Sequence, residues 1–411
     1  MKQGLTFRLG LMMFAQFFIW GTWAPTLGNF MTTIDMGESI NWAYSLGPIA
    51  AIIAPFFLGM VADRFFDSEK VLGVLCLIAG VAMMAMPAAA GSSMFLTLLL
   101  IHALCYFPTL GLTASLALTH MTDSEKQFPI VRVWGTIGWV AAGLLIGKLL
   151  MADATSLPLY LGGGASIFLG LYSFTLPNTP PPSKNQKTSW REILGLDALK
   201  ELRTPSFMVF LIAALLVFIA FGTYFPYSPT YLSQFNGAHD VSWFANPSFE
   251  MSFGQASEII FMLLIPFFFR HLGVKWMLLL GMLAWVVRFG FFAGAAVNGA
   301  VWMILLGIVI HGICFDFFFV TGQIYIDKRT SPAIRGQVQG LLVLLTQGVG
   351  FFLGTQISGA YVNSNGENGI LTMPIWQSFW TYFAIAMAVF ALMFFVMFRD
   401  DGGKGVVSSE L

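Results

Sequence analysis

Apolar residues run in long stretches along most of the chain, separated by short segments that are polar or contain Gly and Pro. A helix needs about 20 apolar residues to cross the hydrocarbon core of a membrane. Twelve stretches are long enough, and each predicts a transmembrane span. They cover approximately residues 8–30, 41–62, 71–90, 95–119, 130–151, 157–176, 206–231, 252–269, 276–296, 300–324, 335–360 and 374–397. The first follows Lys2 and Arg8 as a signal peptide would, but its length and its tryptophans predict a retained span.

Lysine and arginine are concentrated in alternate loops, which predicts the two sides of the membrane. If both termini are cytoplasmic, every basic residue except Lys148 and Arg288 lies in an inner segment or at an inner helix end. A miscounted span would swap the sides of all later loops and erase this asymmetry. The pattern therefore predicts twelve spans with both termini in the cytoplasm.

The longest inner segment divides the chain almost in half. We predict an N-terminal six-helix bundle over residues 1–176, a cytoplasmic linker over 177–205, a C-terminal bundle over 206–398 and a short tail over 399–411. Leucines spaced among charges in the linker are typical of an amphipathic helix on the membrane surface. A simple tether is the alternative.

Short sequence segments recur in the two halves, in the same order and six spans apart. The matching segments are 21–25 with 222–226, 55–57 with 266–268, 102–106 with 311–315, and 129–132 with 332–335. Because six is even, the two halves have the same topology and are parallel repeats, as in major facilitator transporters. The predicted fold class is an all-α membrane protein of twelve transmembrane helices in two parallel six-helix repeats.

Composition narrows the functional classes. Hydrophobic residues make up 57% of the chain and charged residues 10%, mean hydropathy is +0.78, and 20 basic residues balance 20 acidic ones. These values exclude a soluble globular protein, a disordered chain and a nucleic-acid binder that relies on net positive charge. The three cysteines lack metal-ligand spacing, so we expect no metal site; the expected surroundings are a lipid bilayer.

Four charged side chains fall within or at the end of apolar spans: Arg132, Glu258, Arg288 and Asp316. A charge in the hydrocarbon costs at least ~2.5–3.5 kcal/mol, so each needs a reason. Glu258 or Asp316 is a candidate for binding a driving proton. Arg132 could instead snorkel to the headgroups, and Arg288 and Asp316 could form a static ion pair between adjacent helices.

Polar and aromatic side chains share helix faces at three places. The sets are Arg132, Thr136 and Trp139 in span five, Gln255 and Glu258 in span eight, and Gln16, Trp20 and Trp23 in span one. Rings that stack on a flat ligand, together with a few donors and acceptors, suit a nucleoside. Other polar aromatic solutes fit equally well, and the aromatic residues could also be ordinary packing.

The loop segment Gly59-Met60-Val61-Ala62-Asp63-Arg64 resembles a motif of the major facilitator superfamily, and this resemblance implies that Asp63 and Arg64 hold an inner gate. A narrower resemblance covers nearly the whole chain: it is similar to bacterial nucleoside permeases of the nucleoside:proton symporter family. The words that carry this resemblance are Trp20-Gly21-Thr22-Trp23, Phe107-Pro108-Thr109-Leu110-Gly111-Leu112, Arg132-Val133-Trp134-Gly135-Thr136-Ile137-Gly138, Leu194-Gly195-Leu196-Asp197-Ala198, Ser257-Glu258, Ile265-Pro266-Phe267-Phe268, Phe315-Asp316-Phe317-Phe318 and Ser331-Pro332-Ala333-Ile334-Arg335.

The narrower resemblance implies which side chains face the substrate. They are Arg132, Thr136 and Trp139 from the first half and Gln255, Glu258 and Phe315 from the second. Trp20 and Phe225 are further candidates. In the family pattern span seven offers amide side chains to the ligand, whereas Gly222 and Phe225 stand at those places here. This departure leaves the identity of the substrate open.

The expected function is a secondary active transporter that imports nucleosides by proton symport through alternating access. The chain has no phosphate-binding loop for ATP and no cluster typical of an enzyme, so the expected energy source is the proton gradient and no cofactor is expected. The alternatives are a proton symporter of another polar solute, such as a sugar or glycoside, and a non-transporting receptor. We expect a monomer without nucleic-acid partners in a bacterial inner membrane.

Overall fold

The computed structural model describes residues 3–57, 66–122, 124–180, 204–241, 246–330 and 335–399. The predicted gating residues Asp63 and Arg64 lie outside the described residues, as do most of the predicted linker and tail. Within the described ranges, secondary structure is helical apart from one isolated bridge between Glu367 and Ile370.

The helices are numbered in chain order. In the first half they are α1 Gln3–Trp23, α2 Leu27–Thr33, α3 Ile40–Phe57, α4 Ser68–Ala85, α5 Ser93–Thr119, α6 Ser124–Gly143 and α7 Leu157–Ser173. In the second half they are α8 Pro205–Ala238, α9 Pro247–Asn298, α10 Val301–Val309, α11 His311–Phe315, α12 Thr321–Arg329, α13 Arg335–Val343, α14 Phe351–Asn365 and α15 Met373–Met397. Short 3₁₀ turns cover Gly37–Ser39 and Met86–Ala89.

Each predicted span coincides with a helix or a run of helices. In the described ranges, 8 helices are long and apolar enough to cross a membrane, and 9 if the bent α10–α12 run is one span. The 52-residue α9 contains two predicted spans, and Gly273 interrupts it with a φ of 71°. The shorter α3 and α7 coincide with predicted spans two and six. The helices are therefore consistent with twelve spans.

Among the residues that the structure describes, three stretches form wider π-helical turns, which the sequence did not predict. They are Leu144–Leu150 after α6, Asp316–Val320 after α11 and Leu344–Gly350 after α13. The first and third lie at matching places in predicted spans five and eleven, as expected for repeated halves. The second begins at a candidate proton-binding residue, and π-turns occur frequently at functional sites.

The chain packs as two compact units. The first unit contains Met1–Thr188, Phe225–Ser252 and Val362–Ile370, and the second contains Ser189–Tyr224, Phe253–Tyr361 and Leu371–Leu411. The first unit thus includes the end of α8, the start of α9 and the turn after α14. The predicted domain boundaries stay a prediction.

Glycines let helices approach closely within each unit, as is common in membrane bundles. In the first unit, a Cβ on Gly21 of α1 would lie 3.1 Å from the Trp139 Cα of α6, and a Cβ on Gly138 would collide with the Phe14 carbonyl. In the second unit, a Cβ on Gly222 of α8 would lie 2.9 Å from the Phe351 Cα of α14. The same kind of glycine crossing therefore joins the first and fifth spans of each repeat.

Matching aromatic clusters also support the repeat. They consist of Trp23, His102 and Tyr106 in the first unit and of Tyr224, His311 and Phe315 in the second. Each central histidine lies between its two neighbours, with ring centroids 5.5 and 5.2 Å apart in the first unit and 5.8 and 6.1 Å apart in the second. The segments matched in sequence thus make equivalent contacts.

A buried carboxylate caps α9 from the first half of the chain. The Ser248 backbone N–H donates to Asp153 Oδ1 at 3.0 Å, and the Ser248 hydroxyl donates to the same oxygen. A negative charge at a helix N-terminus is favourable. Burial raises the pKa of the Asp153 carboxyl, and the two hydrogen bonds partly oppose this shift. Glu250, the other acid nearby, is fully buried and accepts a hydrogen bond from Asn236.

We predict that Gly138→Ala destabilises the protein by about 1–3 kcal/mol, because the added methyl group overpacks the α1–α6 crossing. Gly164→Ala is the matched control, since nothing lies within 4 Å of its Cβ position and alanine is the better helix former by roughly 0.5–1 kcal/mol. Thermal unfolding of the purified protein in detergent measures both effects. Equal Tm values for the two variants would contradict the close crossing.

We predict that Asp153→Asn weakens the pH dependence of stability. A carboxyl with a raised pKa binds its proton more tightly in the folded than in the unfolded protein. The free energy of unfolding of the wild type therefore rises as pH falls from the folded pKa towards the ordinary value near 3.8, and the amide removes this contribution. Tm measured at several pH values between neutral and 4 tests this, and parallel profiles for both proteins would contradict it.

Candidate functional site

Three candidate aromatic residues lie together in the first unit. The Trp20 ring centroid is 5.2 Å from that of Trp139 and 6.2 Å from that of Phe225, and the last two are 6.2 Å apart. Phe107 packs edge-on against Trp20 at 5.7 Å, and Tyr44 packs against Phe225 at 6.1 Å. We call Trp20, Trp139 and Phe225 the aromatic cluster.

The aromatic cluster offers a surface for stacking, because its rings are too close together to form a slot. A base sandwiched between two rings needs them about 7 Å apart and parallel, twice the ~3.5–4.0 Å contact between carbons. Trp20 and Trp139 are 5.2 Å apart with their planes at 76°. Trp139 and Phe225 are both buried, whereas Trp20 is half-buried. Trp20 is therefore the most exposed ring of the aromatic cluster.

Arg132 continues the same face of α6. Its guanidinium carbon lies 4.2 Å from the centroid of the Phe17 ring, and Phe17 contacts Trp20 at 6.4 Å. Thr136 lies between Arg132 and Trp139 on this face and is buried. The structure thus brings the span-five stripe against α1, and a cation–π contact holds its arginine.

Glu258 and Asp316 are both buried in the second unit, where their carboxyl groups interact electrostatically. Neither carboxyl oxygen of Asp316 has a hydrogen-bond partner among the described residues. Gln255 is half-buried one turn before Glu258 on α9. The two acids are therefore in a place where a second negative charge is costly.

A close helix crossing positions these two acids. The Gly312 N–H of α11 donates to Ser257 Oγ of α9 at 3.1 Å, and a Cβ on Gly312 would lie 2.8 Å from the Ser257 carbonyl oxygen. Glu258 follows Ser257 directly, and Asp316 lies one turn after Gly312. Larger residues at Gly312 would separate the acids.

Phe315 is half-buried beside Asp316. Its ring contacts those of Phe221 at 5.9 Å, Phe319 at 5.1 Å and His311 at 6.1 Å. Behind it lies a cavity of about 10 Å³, room for one water at most. Its lining consists of Val217, Phe218, Phe221, Trp285, Cys314, Phe315, Phe318 and Phe319. This cavity is too small to hold a nucleoside.

The ion pair between Arg288 and Asp316, one interpretation of the sequence, is wrong. Arg288 Nε donates to the Gly307 carbonyl at 2.9 Å, and its guanidinium lies 4.2 Å from the Tyr224 ring centroid and 4.7 Å from that of Trp285. In the described part of the chain, the terminal nitrogens of Arg288 have no hydrogen-bond partner. The electrostatic neighbour of the Asp316 carboxyl is instead Glu258.

Sequence reasoning missed three aromatic contacts of the site: Phe17, Phe107 and Tyr44. Phe17 precedes Trp20 by three residues on α1 and so shares its face, a signal that was available. Phe107 and Tyr44 come from other helices, and no spacing links them to the cluster. No group of histidine, cysteine or acidic side chains suited to a metal occurs in the described ranges.

Comparison with known proteins covers nearly the whole chain. A family model described as nucleoside H⁺ symporter matches residues 3–402. The chain is 38% identical to the putative nucleoside transporter YegT of Escherichia coli K12 over 97% of its own length and 95% of that protein's. It is 33% identical to the nucleoside permease NupG and 32% identical to the xanthosine permease of the same organism, with 96% of each chain covered in both cases.

Comparison with solved structures agrees with these sequence matches. A crystal structure of the nucleoside transporter NupG superposes with a TM-score of 0.85 at 31% identity, covering 98% of this chain and 100% of that one. The POT family transporter PepTSo superposes with a TM-score of 0.72 at 13% identity, covering 96% of this chain and 99% of that one, which shows the fold alone. The fold is that of the major facilitator transporters, and the chain belongs to the nucleoside H⁺ symporter family.

Proposed function

We propose that the chain imports nucleosides by alternating access, and that Glu258 and Asp316 bind the coupled proton. Because the chain belongs to the nucleoside H⁺ symporter family, it is a proton-coupled nucleoside transporter and not an enzyme. Family membership favours nucleosides over sugars or glycosides and a transporter over a receptor. The observation that carries the proposal is the buried pair of acids beside a half-buried aromatic ring.

In this proposal eight side chains bind the nucleoside: Trp20, Arg132, Thr136, Trp139, Phe225, Gln255, Glu258 and Phe315. Trp20 stacks on the base, because it is the half-buried ring of the aromatic cluster. Gln255, Glu258 and Arg132 supply donors and acceptors for the ribose hydroxyls. Phe225 provides a ring where an amide would supply a hydrogen bond, which favours recognition of the base by stacking.

The proton acts by removing one negative charge from the pair of acids. Two carboxylates in a water-poor interior repel each other and lose their hydration, and the partnerless oxygens of Asp316 receive no compensation from the described residues. A bound proton therefore lowers the free-energy cost of the conformational change in the loaded carrier. Moving one charge through 100 mV supplies ~2.3 kcal/mol, which corresponds to roughly fifty-fold accumulation at 1.4 kcal/mol per factor of ten.

We further propose an orientation, an oligomeric state and an energy source for the transporter. The termini face the cytoplasm of a bacterial inner membrane, as the basic loops indicate. The transporter works as a monomer with the proton gradient as its energy source and without a cofactor. Asp63 and Arg64 belong to its inner gate.

We predict that Glu258→Gln and Asp316→Asn abolish or strongly reduce uphill uptake while retaining nucleoside exchange, because the amides cannot release a proton. Uridine uptake into proteoliposomes with an imposed proton gradient measures the first activity, and uridine counterflow measures the second. Glu250→Gln is the control, since it changes another buried acid of α9, and the new amide oxygen can still accept the hydrogen bond from Asn236. Normal accumulation by both site variants would exclude both acids as the coupling residues.

We predict that Trp20→Ala raises the KM for uridine by roughly 5- to 150-fold, since stacking of a base on an aromatic ring contributes about 1–3 kcal/mol. Trp20→Phe retains a ring and should recover part of the affinity. The control is Trp134→Ala, because Trp134 packs against Phe7 on α1, away from the aromatic cluster. If Trp134→Ala and Trp20→Ala change KM equally, Trp20 is not a specific contact.

A further inference from the structure

A tight turn from the second half of the chain is part of the first unit. Asn368 and Gly369 have φ values of 49° and 74°, and the residues on either side, Glu367 and Ile370, form the isolated bridge. Positive φ at both central positions is the geometry of a two-residue type I′ turn, for which Asn-Gly is the preferred sequence. The turn is therefore a rigid feature rather than an irregular loop.

The Asn368 side chain bonds the turn to the connection between α2 and α3. Its Oδ1 accepts the Gly37 N–H at 2.6 Å, and its Nδ2 donates to the Thr32 carbonyl at 2.9 Å and to Asp35 Oδ1 at 3.4 Å. Both ends of one amide are used, and two of the three partners are backbone groups. This side chain has three hydrogen bonds to segments that lie more than 300 residues away in the sequence.

The fit around Asn368 is close. A Cβ on Gly37 would lie 2.6 Å from Asn368 Oδ1, and a Cβ on Gly369 would lie 3.3 Å from Thr32 Cγ2. Asn363 donates to the Glu38 carbonyl at 2.8 Å on the same side. The connection and the turn therefore fit together only with glycine at these places.

Other bonds join the two halves of the chain within the first unit. Asn29 Nδ2 donates to the Pro229 carbonyl at 3.4 Å, and Ser248 donates to Asp153. All these segments belong to loops or helix ends that the basic-residue pattern assigns to the outer side. If the transporter works by alternating access, as proposed above, each of these bonds must break when the outer end opens.

We propose that Asn368 is a gating residue, which holds the outer end closed and thereby sets the fraction of carriers that face outward. Its place suits a reversible bond: Asn368 is half-buried and its neighbours Glu367 and Ile370 are exposed, so water can replace each partner when the end opens. A hydrogen bond that exchanges with water has a small net free energy. Three such bonds on one side chain favour the closed outer end but still allow it to open.

Loss of these bonds should shift the equilibrium towards the open outer end by about tenfold, corresponding to about 1.4 kcal/mol. Double electron–electron resonance tests this by measuring the distance between spin labels on Glu38→Cys and Glu367→Cys in a cysteine-free background. Both side chains are exposed, one on the α2–α3 connection and the other on the turn. Asn368→Ala should enlarge the population with the long distance about tenfold. An unchanged distance distribution would overturn the proposal.

The matched control is Asn298→Ala. Asn298 is also in the second half, at the end of α9. Its Oδ1 accepts the Ala300 N–H and its Nδ2 contacts the Met303 sulfur, so these contacts join only the end of α9 to the start of α10. This variant should leave the distances unchanged. If it opens the junction as much as Asn368→Ala does, the effect is general destabilisation and the proposal is wrong.

Uptake kinetics separate gating from a purely structural role. The apparent affinity of a ligand rises in proportion to the fraction of carriers that can bind it. Asn368→Ala should therefore lower the KM for external uridine by up to tenfold, whereas a folding defect lowers Vmax at constant KM. Absence of transport of uridine and of the other nucleosides by the wild type would refute the proposed function, while the distance measurement would still decide the role of Asn368.

Discussion

The cost of placing charge in a lipid environment is the constraint on which the rest of the structure depends. Glu258, Asp316 and Arg288 are buried in spans that are otherwise apolar, and each is treated differently. The guanidinium of Arg288 packs against two aromatic rings, and its Nε donates to a backbone carbonyl. Asp316 has no such contacts among the described residues, and only Glu258 is identified as its electrostatic neighbour. A group that is stable when neutral and costly when charged is suited to taking up and releasing a proton.

Close helix crossings at glycines set the positions of the buried charges. Gly312 allows α11 to approach α9 closely enough for a hydrogen bond to Ser257, and this contact sets the separation of the two acids one residue and one turn further on. Gly21 and Gly138 do the same for α1 and α6, which carry Trp20 and Arg132. Repetition of such crossings in both units explains how two halves with few identical residues keep one architecture.

Much of this architecture could be predicted from the sequence, because hydropathy, basic loops and repeated segments are each visible in short stretches of the chain. The twelve spans, the parallel repeat and the faces of α6 and α9 follow from such patterns. The predicted Arg288–Asp316 ion pair was wrong because residue spacing shows which side chains share a face of one helix. It does not show which face of the neighbouring helix lies opposite them. The π-helical turns and the contacts of Phe107 and Tyr44 have no local signature. The Asn368-Gly369 turn was readable as a turn, but its partners lie more than 300 residues away.

In the proposed mechanism, nucleoside and proton move together and the buried acids carry the proton. The most direct measurement is the change in internal pH, reported by an entrapped dye, when uridine is added outside proteoliposomes at equal pH on both sides. We expect uridine-dependent acidification of the interior by the wild type and none by the double variant Glu258→Gln with Asp316→Asn. Uridine entry by the wild type without proton movement would contradict it.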